Sequence, residues 1–376
     1  MRILYITDQI YLHGGAEKIL IQKLNYWADV LGADVLLLTT SQEGRPPFFA
    51  LSPKVTHKNL SVKGRTLSSY LNPSATLEFP TDFKKVKSAI TSFNPDAVFL
   101  ISLGFIRYIL PWAARGYATF NEYHTSYYGF RLGYQNAPLA VKIKKLLAAP
   151  LRRWVEDKYT GIVFLNQAEY DHYKRKNGLI IPNFFDPSAQ HPLVERKKQV
   201  ISLGRLSYQK GYDLLLKAWS ILEAEFPDWN LAVYGHGENR EALEKQMSEL
   251  GLRNARINPA TDEVPQKLAE SSIYVMSSRF ETFPMVLLEA LSAGVPVVSF
   301  DCISGPRSIL TQGDSLLAPP DDVEALADQL KRLMGNDLLR QELGKNARQN
   351  VARFSPATVM AMWVALGNKF KKNQTR

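Results

Sequence analysis

The chain has 376 residues and a formal net charge of +10, and this length exceeds one ordinary hydrophobic core and predicts two domains. No segment contains the roughly 18 apolar residues that a membrane-spanning helix requires, and the single cysteine, Cys302, excludes an intrachain disulfide. We therefore expect a globular protein of the reducing cytoplasm, either soluble or peripheral on the inner face of the plasma membrane.

The positive charge is concentrated in the first half of the chain. Residues 1–196 contain 24 Lys or Arg and 15 Asp or Glu, which is a net charge of +9, whereas residues 197–376 contain 22 and 21, a net charge of +1. One domain is therefore expected to face an anionic partner, such as a membrane, an acidic substrate or a nucleic acid.

Short apolar runs alternate with longer segments of helical periodicity along the whole chain. Strands buried on both faces read as continuous apolar runs, and their alternation with helices predicts an α/β fold with two doubly wound parallel sheets. The predicted strands are Ile3–Thr7, Val35–Thr39, Ala97–Ser102, Tyr117–Glu122, Ile162–Leu165, Val200–Leu203, Leu231–Tyr234, Ile273–Met276 and Val297–Phe300.

The segment 183–192 contains two prolines and little periodicity, which is typical of a linker. It predicts a first domain over residues 1–185 and a second over residues 197–354. The last segment, 355–376, is predicted to begin a helix with Ser355 as the N-cap and Pro356 at the first helical position. Residues 41–80 are polar and contain prolines, which predicts a loop-rich segment.

The first domain contains two polar motifs that follow strands. Gly14 and Gly15 open the predicted helix Ile19–Ala28, and paired glycines at a helix N-terminus allow backbone N–H groups to approach an anion or a sugar. His124 ends the fourth strand and is a candidate site residue, although a single histidine is more often structural. We expect the adjacent Glu122 to point elsewhere.

A basic stretch at 137–159 mixes lysines and arginines with leucines and a tryptophan at helical spacing. Such a helix suits an anionic membrane surface. The alternative is a helix that packs on its own domain and keeps its lysines in water.

The second domain opens with a strand, a loop and a helix, and the loop carries Arg205 and Lys210. Two cations near a helix N-terminus suit a diphosphate, because arginine offers a planar fork to phosphate oxygens and lysine a point charge. Gly235 and Gly237 follow the next strand, where they form either a tight turn or part of a binding site.

Glu281 and Glu289 lie eight positions apart in the otherwise apolar run 278–290. The first is predicted in a strand-to-helix loop and the second inside the helix. An unpaired buried charge is unfavourable, so each carboxylate requires a partner, and a ligand rich in hydroxyl groups would supply one.

These motifs, in this order, resemble those of the family-4 retaining glycosyltransferases, which have the GT-B fold of two Rossmann-like domains that face each other across a cleft. The resemblance implies that Glu281 contacts the donor sugar, Glu289 holds the ribose, Arg205 and Lys210 neutralise the departing diphosphate, and His124 reaches the donor sugar. It also implies a donor site lined by Gly14, Gly15, Gly235, Gly237, Phe283, Met285 and Val286.

The same resemblance implies transfer of a hexose-type sugar from a nucleotide sugar to a saccharide or lipid-linked saccharide, with the last helix packed back on the acceptor-binding first domain. The run Ser304-Gly305-Pro306 resembles that of family members which use UDP-sugars, and this resemblance implies a UDP-sugar and a role in bacterial surface polysaccharide or glycolipid synthesis. We expect no cofactor and no metal, because the sequence contains no Asp-x-Asp pair and no clustered His or Cys ligands.

Two other readings use the same fold. A nucleotide-sugar epimerase would consume the donor without an acceptor, and a non-catalytic sugar- or lipid-binding protein would keep the site without turnover. A nucleic-acid partner is not expected, because the basic first half lacks an aromatic-rich basic recognition motif.

Overall fold

The computed structural model describes residues 1–62, 73–129, 149–186 and 194–370. Within these ranges, seven parallel strands form the first sheet in the order β3-β2-β1-β4-β5-β6-β7. The strands are β1 (Arg2–Thr7), β2 (Asp34–Thr39), β3 (Val55–Asn59), β4 (Ala97–Ile101), β5 (Ala118–Tyr123), β6 (Gly161–Phe164) and β7 (Gly178–Ile180).

The described residues of the second half form a parallel sheet of six strands and a separate pair of short strands. The sheet order is β10-β9-β8-β11-β13-β15, and β12 pairs with β14. These strands are β8 (Lys197–Leu203), β9 (Asn230–Tyr234), β10 (Ala255–Asn258), β11 (Ser271–Met276), β12 (Phe280–Glu281), β13 (Val297–Phe300), β14 (Ile303–Ser304) and β15 (Ser315–Ala318).

Helices connect the strands of both sheets. Those of the first half are α1 (Gly15–Asn25), α2 (Pro73–Phe93), α3 (Ile106–Ala113) and α4 (Gln167–Tyr173), and a π-helical turn, Tyr26–Val30, extends α1. Those of the second half are α5 (Tyr212–Leu222), α6 (Arg240–Glu249), α7 (Val264–Ala269), α8 (Met285–Ser292), α9 (Val323–Met334), α10 (Asp337–Asn350) and α11 (Pro356–Asn368).

The continuous apolar strands are explained by burial on both faces. Successive residues of a strand point to opposite sides of the sheet. In β1, Ile3 and Tyr5 belong to one hydrophobic cluster, and Leu4 and Ile6 belong to another on the opposite face. The second sheet is divided in the same way between two clusters. The predicted pair of doubly wound parallel sheets is confirmed.

The chain order reverses between β1 and β4 in the first sheet and between β8 and β11 in the second. Ligands of open parallel sheets bind at such switch points, outside the carboxyl ends of the strands. The loop that carries Gly14 and Gly15 follows β1, and the loop that carries Arg205 and Lys210 follows β8. The topology therefore brings these sequence motifs to the ligand-binding edge of each sheet.

All nine predicted strands are confirmed, to within three residues at either end. The strands that the sequence reading missed are β3, β7, β10 and β15, together with the short pair β12 and β14. Each of the four lies at an edge of its sheet and is partly exposed, so its apolar run is short or interrupted by polar residues. The prediction of a loop-rich segment at 41–80 is wrong for two parts of it, because Val55–Asn59 forms β3 and residues 73–80 begin α2.

The last helix crosses back to the first sheet. The Ser355 side chain accepts a hydrogen bond from the Thr358 backbone N–H, and Pro356 is the first helical residue, so the predicted N-terminus of this helix is confirmed. Trp363 is buried in the first-sheet core and meets the Phe99 ring edge-on at a centroid distance of 5.4 Å. Helix α11 is therefore part of the first core, although it follows the second sheet in the chain.

Two sequence predictions fall largely outside the described residues. The basic stretch 137–159 is described only from residue 149, and residues 149–156 are helical. The linker 183–192 is described only up to residue 186. Among the described residues, none of the helices combines the length and the apolar character needed to cross a bilayer.

Candidate active site between the two sheets

A cavity of about 740 Å³ is lined by residues from both sheets. The first half contributes the loop and first turn of α1, and the second half contributes the ends of β8 and β9 and the start of α8. Seven of the twelve predicted site residues line it: Gly14, Gly15, Arg205, Gly235, Met285, Val286 and Glu289.

The N-terminus of α1 opens into this cavity. Gly14 is the N-cap, and a Cβ there would lie 2.0 Å from Oε2 of Glu17, so a larger residue would require the Glu17 side chain to move. A Cβ on Gly15 would have no atom within 4 Å, which leaves open space above the first turn. The Gly14 N–H donates to the Leu12 carbonyl oxygen at 3.2 Å, so the first-turn N–H groups from Gly15 onward and the positive end of the helix dipole are what this end of α1 offers to an anion.

Arg205 is exposed and lines the opposite side of the cavity, and it forms no ion pair with any described residue. Its loop is held close to the end of β9 by backbone hydrogen bonds from Gly204 to Tyr234 at 3.1 Å and from Leu206 to His236 at 2.8 Å. Glycine permits this approach, because a Cβ on Gly235 would lie 2.0 Å from the Gly204 carbonyl oxygen. Gly237 packs instead against the backbone of Leu206 and does not contribute to the lining that the structure describes.

Glu281 and Lys210 form an ion pair beside this lining. Nζ of Lys210 lies 2.6 Å from Oε1 of Glu281, and both side chains are largely buried. The Ser278 hydroxyl donates a second hydrogen bond to the same carboxylate at 2.8 Å. Gly211 has a φ of +60° and a Cβ there would lie 2.1 Å from the Ser277 carbonyl oxygen, so glycine allows the Lys210 loop to approach.

Glu289 forms an ion pair with Lys18 of the first domain, a residue that the sequence analysis did not identify as a site residue. Nζ of Lys18, on α1, lies 3.6 Å from Oε1 of Glu289 across the cavity. The Lys18 side chain is 48% exposed, and exposed ion pairs contribute only about 0–1 kcal/mol. A hydroxyl-bearing ligand could therefore displace Lys18 at little energetic cost.

Met285 and Val286 line the cavity at the first turn of α8, but Phe283 does not. Phe283 is buried in the second core, where its ring packs against that of Phe354 at 5.6 Å. The reason is that the residue precedes the N-cap, Pro284, and points back to the core rather than outward with the helix.

His124 faces a separate cavity of about 200 Å³ at the switch point of the first sheet, together with Asp8 and Ser102. The expectation that Glu122 points elsewhere is wrong: Nε2 of His124 lies 3.1 Å from Oε2 of Glu122. Residues i and i+2 of a strand share one face, so the two side chains project to the same side of the sheet.

Asp8 is a polar residue of this second cavity that the sequence reading missed. Its carboxylate accepts hydrogen bonds from the hydroxyls of Ser102 at 2.7 Å and Thr40 at 3.3 Å. Burial raises its pKa, although these two hydrogen bonds act in the opposite direction. A signal was available, since Asp8 directly follows the first predicted strand.

Glu122 is fully buried and is compensated by Lys23 of α1, whose Nζ lies 2.6 Å from its carboxylate. The same ammonium group lies 4.0 Å from the ring centroid of Trp363, on the last helix. Burial lowers the pKa of Lys23. Burial acts to raise the pKa of Glu122, but the charge of Lys23 and the hydrogen bond with His124 hold it below its ordinary value.

In the described part of the chain, no group of three or more His, Cys, Asp or Glu side chains has a geometry that could hold a metal ion. Cys302 is buried in a hydrophobic cluster of the second half, and this burial raises the pKa of its thiol.

Comparison with known proteins relates the second half of the chain to a family. Residues 184–350 match the family model of the glycosyl transferases group 1. An uncharacterized glycosyltransferase of Haemophilus influenzae is 26% identical over 93% of this chain and 95% of its own length. The amylovoran biosynthesis glycosyltransferase AmsD of Erwinia amylovora is 30% identical over 45% of this chain and 47% of its own length.

Among solved structures, HepE of Anabaena in complex with UDP superposes with a TM-score of 0.74 at 17% identity. The match covers 98% of this chain and 100% of the HepE chain. The fold that the sequence motifs implied, GT-B, is confirmed by this agreement over nearly the whole chain.

We predict that Lys23→Met destabilises the first domain by about 3–5 kcal/mol, because it leaves the buried Glu122 carboxylate without its counter-charge. For a domain of this size, that loss lowers the unfolding temperature by roughly 6–20 °C. Adding Glu122→Gln should recover most of the loss, since it removes the unpaired charge.

The matched control for this prediction is Lys18→Met, on the same helix, because Lys18 is half exposed and should tolerate the change. The unfolding temperature is measured by circular dichroism for the unaltered protein, the two single lysine variants and the double variant. Equal, small shifts in both lysine variants would contradict the importance of the buried pair.

Proposed function

We propose that this protein, which contains a glycosyl transferases group 1 domain at residues 184–350 and has the GT-B fold, transfers a hexose-type sugar from a UDP-sugar to a saccharide or lipid-linked saccharide with retention of configuration. The observation that carries the proposal is the cavity between the sheets, which combines a helix N-terminus, Arg205 and Glu289. Surface polysaccharide or glycolipid synthesis is the proposed process, supported by the amylovoran role in the name of AmsD.

In this proposal the diphosphate of the donor binds between the first turn of α1 and Arg205. The backbone N–H of Gly15 at the start of α1 favours an anion, and so does the guanidinium of Arg205, which forms no ion pair among the described residues. Glu289 exchanges its weak contact with Lys18 for the ribose hydroxyls. The UDP bound in the HepE structure supports the choice of nucleotide.

Glu281 then receives the hydroxyl groups of the donor sugar. Its carboxylate is held in place by Lys210 and Ser278, so it is positioned before the substrate arrives. The charge of Lys210 acts at the same time on the diphosphate side. With Arg205 and the α1 N-terminus, Lys210 supplies the positive charge that a metal would otherwise provide, so we propose a reaction that is independent of metal.

For the transfer itself we propose a front-face reaction. The acceptor hydroxyl forms a bond with the anomeric carbon on the same face from which UDP departs, and its proton passes to a phosphate oxygen. This route retains the configuration and requires no side-chain nucleophile. The acceptor would bind the first domain, where His124 and Asp8 line the smaller cavity at the switch point.

We predict that the protein binds UDP at micromolar concentration without added metal and that Glu289→Ala lowers this affinity at least tenfold, the equivalent of about 1.4 kcal/mol. Calorimetry with UDP, GDP and ADP measures the selectivity. Glu244→Ala, on an exposed face of α6, serves as the control and should bind as the unaltered protein does. Absence of binding to every nucleotide would favour the non-catalytic alternative.

We predict that Glu281→Ala lowers turnover of the UDP-sugar by about 100-fold or more, the scale for losing one positioned electrostatic contact, with UDP affinity unchanged. The same loss is expected for Lys210→Ala. Release of UDP is the readout, because a nucleotide-sugar epimerase would change the sugar without releasing UDP. Near-normal turnover in both variants would contradict the assigned roles.

We further propose that the first domain docks on an anionic membrane. Two exposed tryptophans, Trp112 and Trp154, lie in contact on neighbouring helical segments with ring centroids 5.3 Å apart. Exposed Arg115, Arg153 and Lys158 lie on the same segments, and Lys158 stacks on Trp154 at 5.4 Å. Aromatic rings beside cations suit the interface of an anionic bilayer.

We predict that the protein floats with vesicles that contain phosphatidylglycerol and not with vesicles of phosphatidylcholine alone. Replacing both tryptophans by serine should weaken this binding at least about tenfold, because it removes the rings that enter the interface. Ile221→Ser, an equally exposed apolar residue of the second domain, is the control. Failure of the unaltered protein to bind would favour the alternative, in which the basic helical stretch packs on its own domain and keeps its lysines in water.

A further inference from the structure

The loop that carries Glu281 belongs to the second domain, but it is held from the first. Nδ2 of Asn166, the residue before α4, donates a hydrogen bond of 2.6 Å to the carbonyl oxygen of Thr282. Asn166 is 3% exposed, and the two residues are 116 positions apart in the chain. A buried contact of this kind connects the first domain directly to the residue after Glu281.

The Asn166 side chain uses both ends of its amide. Its Oδ1 accepts the backbone N–H of Glu169 at 2.9 Å and thereby caps α4, while its Nδ2 reaches Thr282. Because the cap fixes the rotamer, the Nδ2 donor is held in one position relative to α4. The Thr282 backbone is therefore tied to a rigid element and not to a flexible loop.

Glu169, one turn into α4, makes the second connection. Its Oε1 lies 2.9 Å from the Ser304 hydroxyl of the second domain, and its Oε2 accepts the Tyr127 backbone N–H at 3.2 Å. The residue is 1% exposed. The Ser304 hydroxyl also lies 2.5 Å from the carbonyl oxygen of Glu281 and shares its single proton between this oxygen and Glu169, so the contact extends from α4 to the Glu281 backbone.

The local backbone is shaped to make this contact. Glu281 and Ser304 are registered partners in the short β12–β14 pair. Ser304 has a φ of +74°, in the left-handed region that residues with a side chain rarely adopt. Next to it, a Cβ on Gly305 would lie 2.5 Å from the Cβ of Glu281, so glycine permits the close approach. The strained residue places its hydroxyl between the two domains.

We propose that Asn166 and Glu169 are positioning residues that hold the Glu281 carboxylate in its productive place from the first domain. This inference rests on the proposed function, because it takes Glu281 as the group that contacts the donor sugar. Asn166 contacts the Thr282 carbonyl group directly, and Glu169 contacts the Glu281 carbonyl group through the Ser304 hydroxyl. Correct placement of Glu281 thus depends on the arrangement of the two domains.

The test is a double-mutant cycle between Asn166 and Glu281. Asn166→Ser keeps a side-chain oxygen that can cap α4 but is too short to reach Thr282, so it removes the contact between domains and leaves the helix capped. Gln167→Ala, an exposed residue of the same helix, is the matched control. The readout is release of UDP from UDP-glucose, UDP-galactose and UDP-N-acetylglucosamine, with UDP affinity measured by calorimetry.

Asn166→Ser should lower turnover about 10- to 100-fold with UDP affinity unchanged, because a small displacement of a positioned group has that effect. In the Glu281→Ala background the same change should lower turnover by less than about twofold, since the group it positions is gone. An equal loss in both backgrounds would show that Asn166 acts only on general structure and would overturn the inference.

Glu169 provides an independent arm of the experiment. Glu169→Gln presents an N–H₂ donor to Ser304 and a carbonyl oxygen to the Tyr127 N–H, so it should keep at least about half of the turnover. Glu169→Ala removes both contacts and should lose about tenfold or more. Equal activity of these two variants would contradict the inference, whereas unaltered turnover of Glu281→Ala alone would instead contradict the proposed function.

Discussion

The structure depends on one buried carboxylate, Glu281, whose charge is compensated within the second domain and whose backbone is contacted from the first. Glu281 is largely removed from water, and such a charge is tolerated only when it is paired and hydrogen-bonded. Lys210 and Ser278 provide that pairing within the second domain. The backbone around Glu281 is in turn fixed from the first domain through Asn166 and Ser304. The segment that carries this compensated charge is thus also the point at which the two domains are in contact.

The same principle operates behind the smaller cavity. Glu122 is buried in the first domain, and its partner Lys23 also packs on Trp363, which arrives from the end of the chain. The last helix therefore contacts the Lys23–Glu122 ion pair, and Glu122 in turn contacts Nε2 of His124. A contact between residues more than 300 positions apart in sequence supports a side chain at the cavity.

The main cavity contrasts with these buried pairs, because its charged groups are exposed and weakly held. Arg205 forms no ion pair with the described residues, and Lys18 meets Glu289 at 3.6 Å while remaining half exposed. Groups of this kind can exchange their contacts for those of a ligand. Charges outside the lining are thus firmly paired and those within it loosely paired, which suits a site that exchanges a charged ligand.

The sequence by itself determined the fold class, the central strands and the N-terminus of the last helix, because burial on both faces and helix capping leave local patterns. It also indicated the loops that bear Gly14 and Arg205, since each follows a buried strand, and the helix that bears Glu289. Edge strands such as β3 were missed because partial exposure removes the apolar run. Only the tertiary structure decided which side chains meet, since the ion pair of Lys18 with Glu289 and the hydrogen bond of Asn166 with Thr282 join residues that are distant in the sequence.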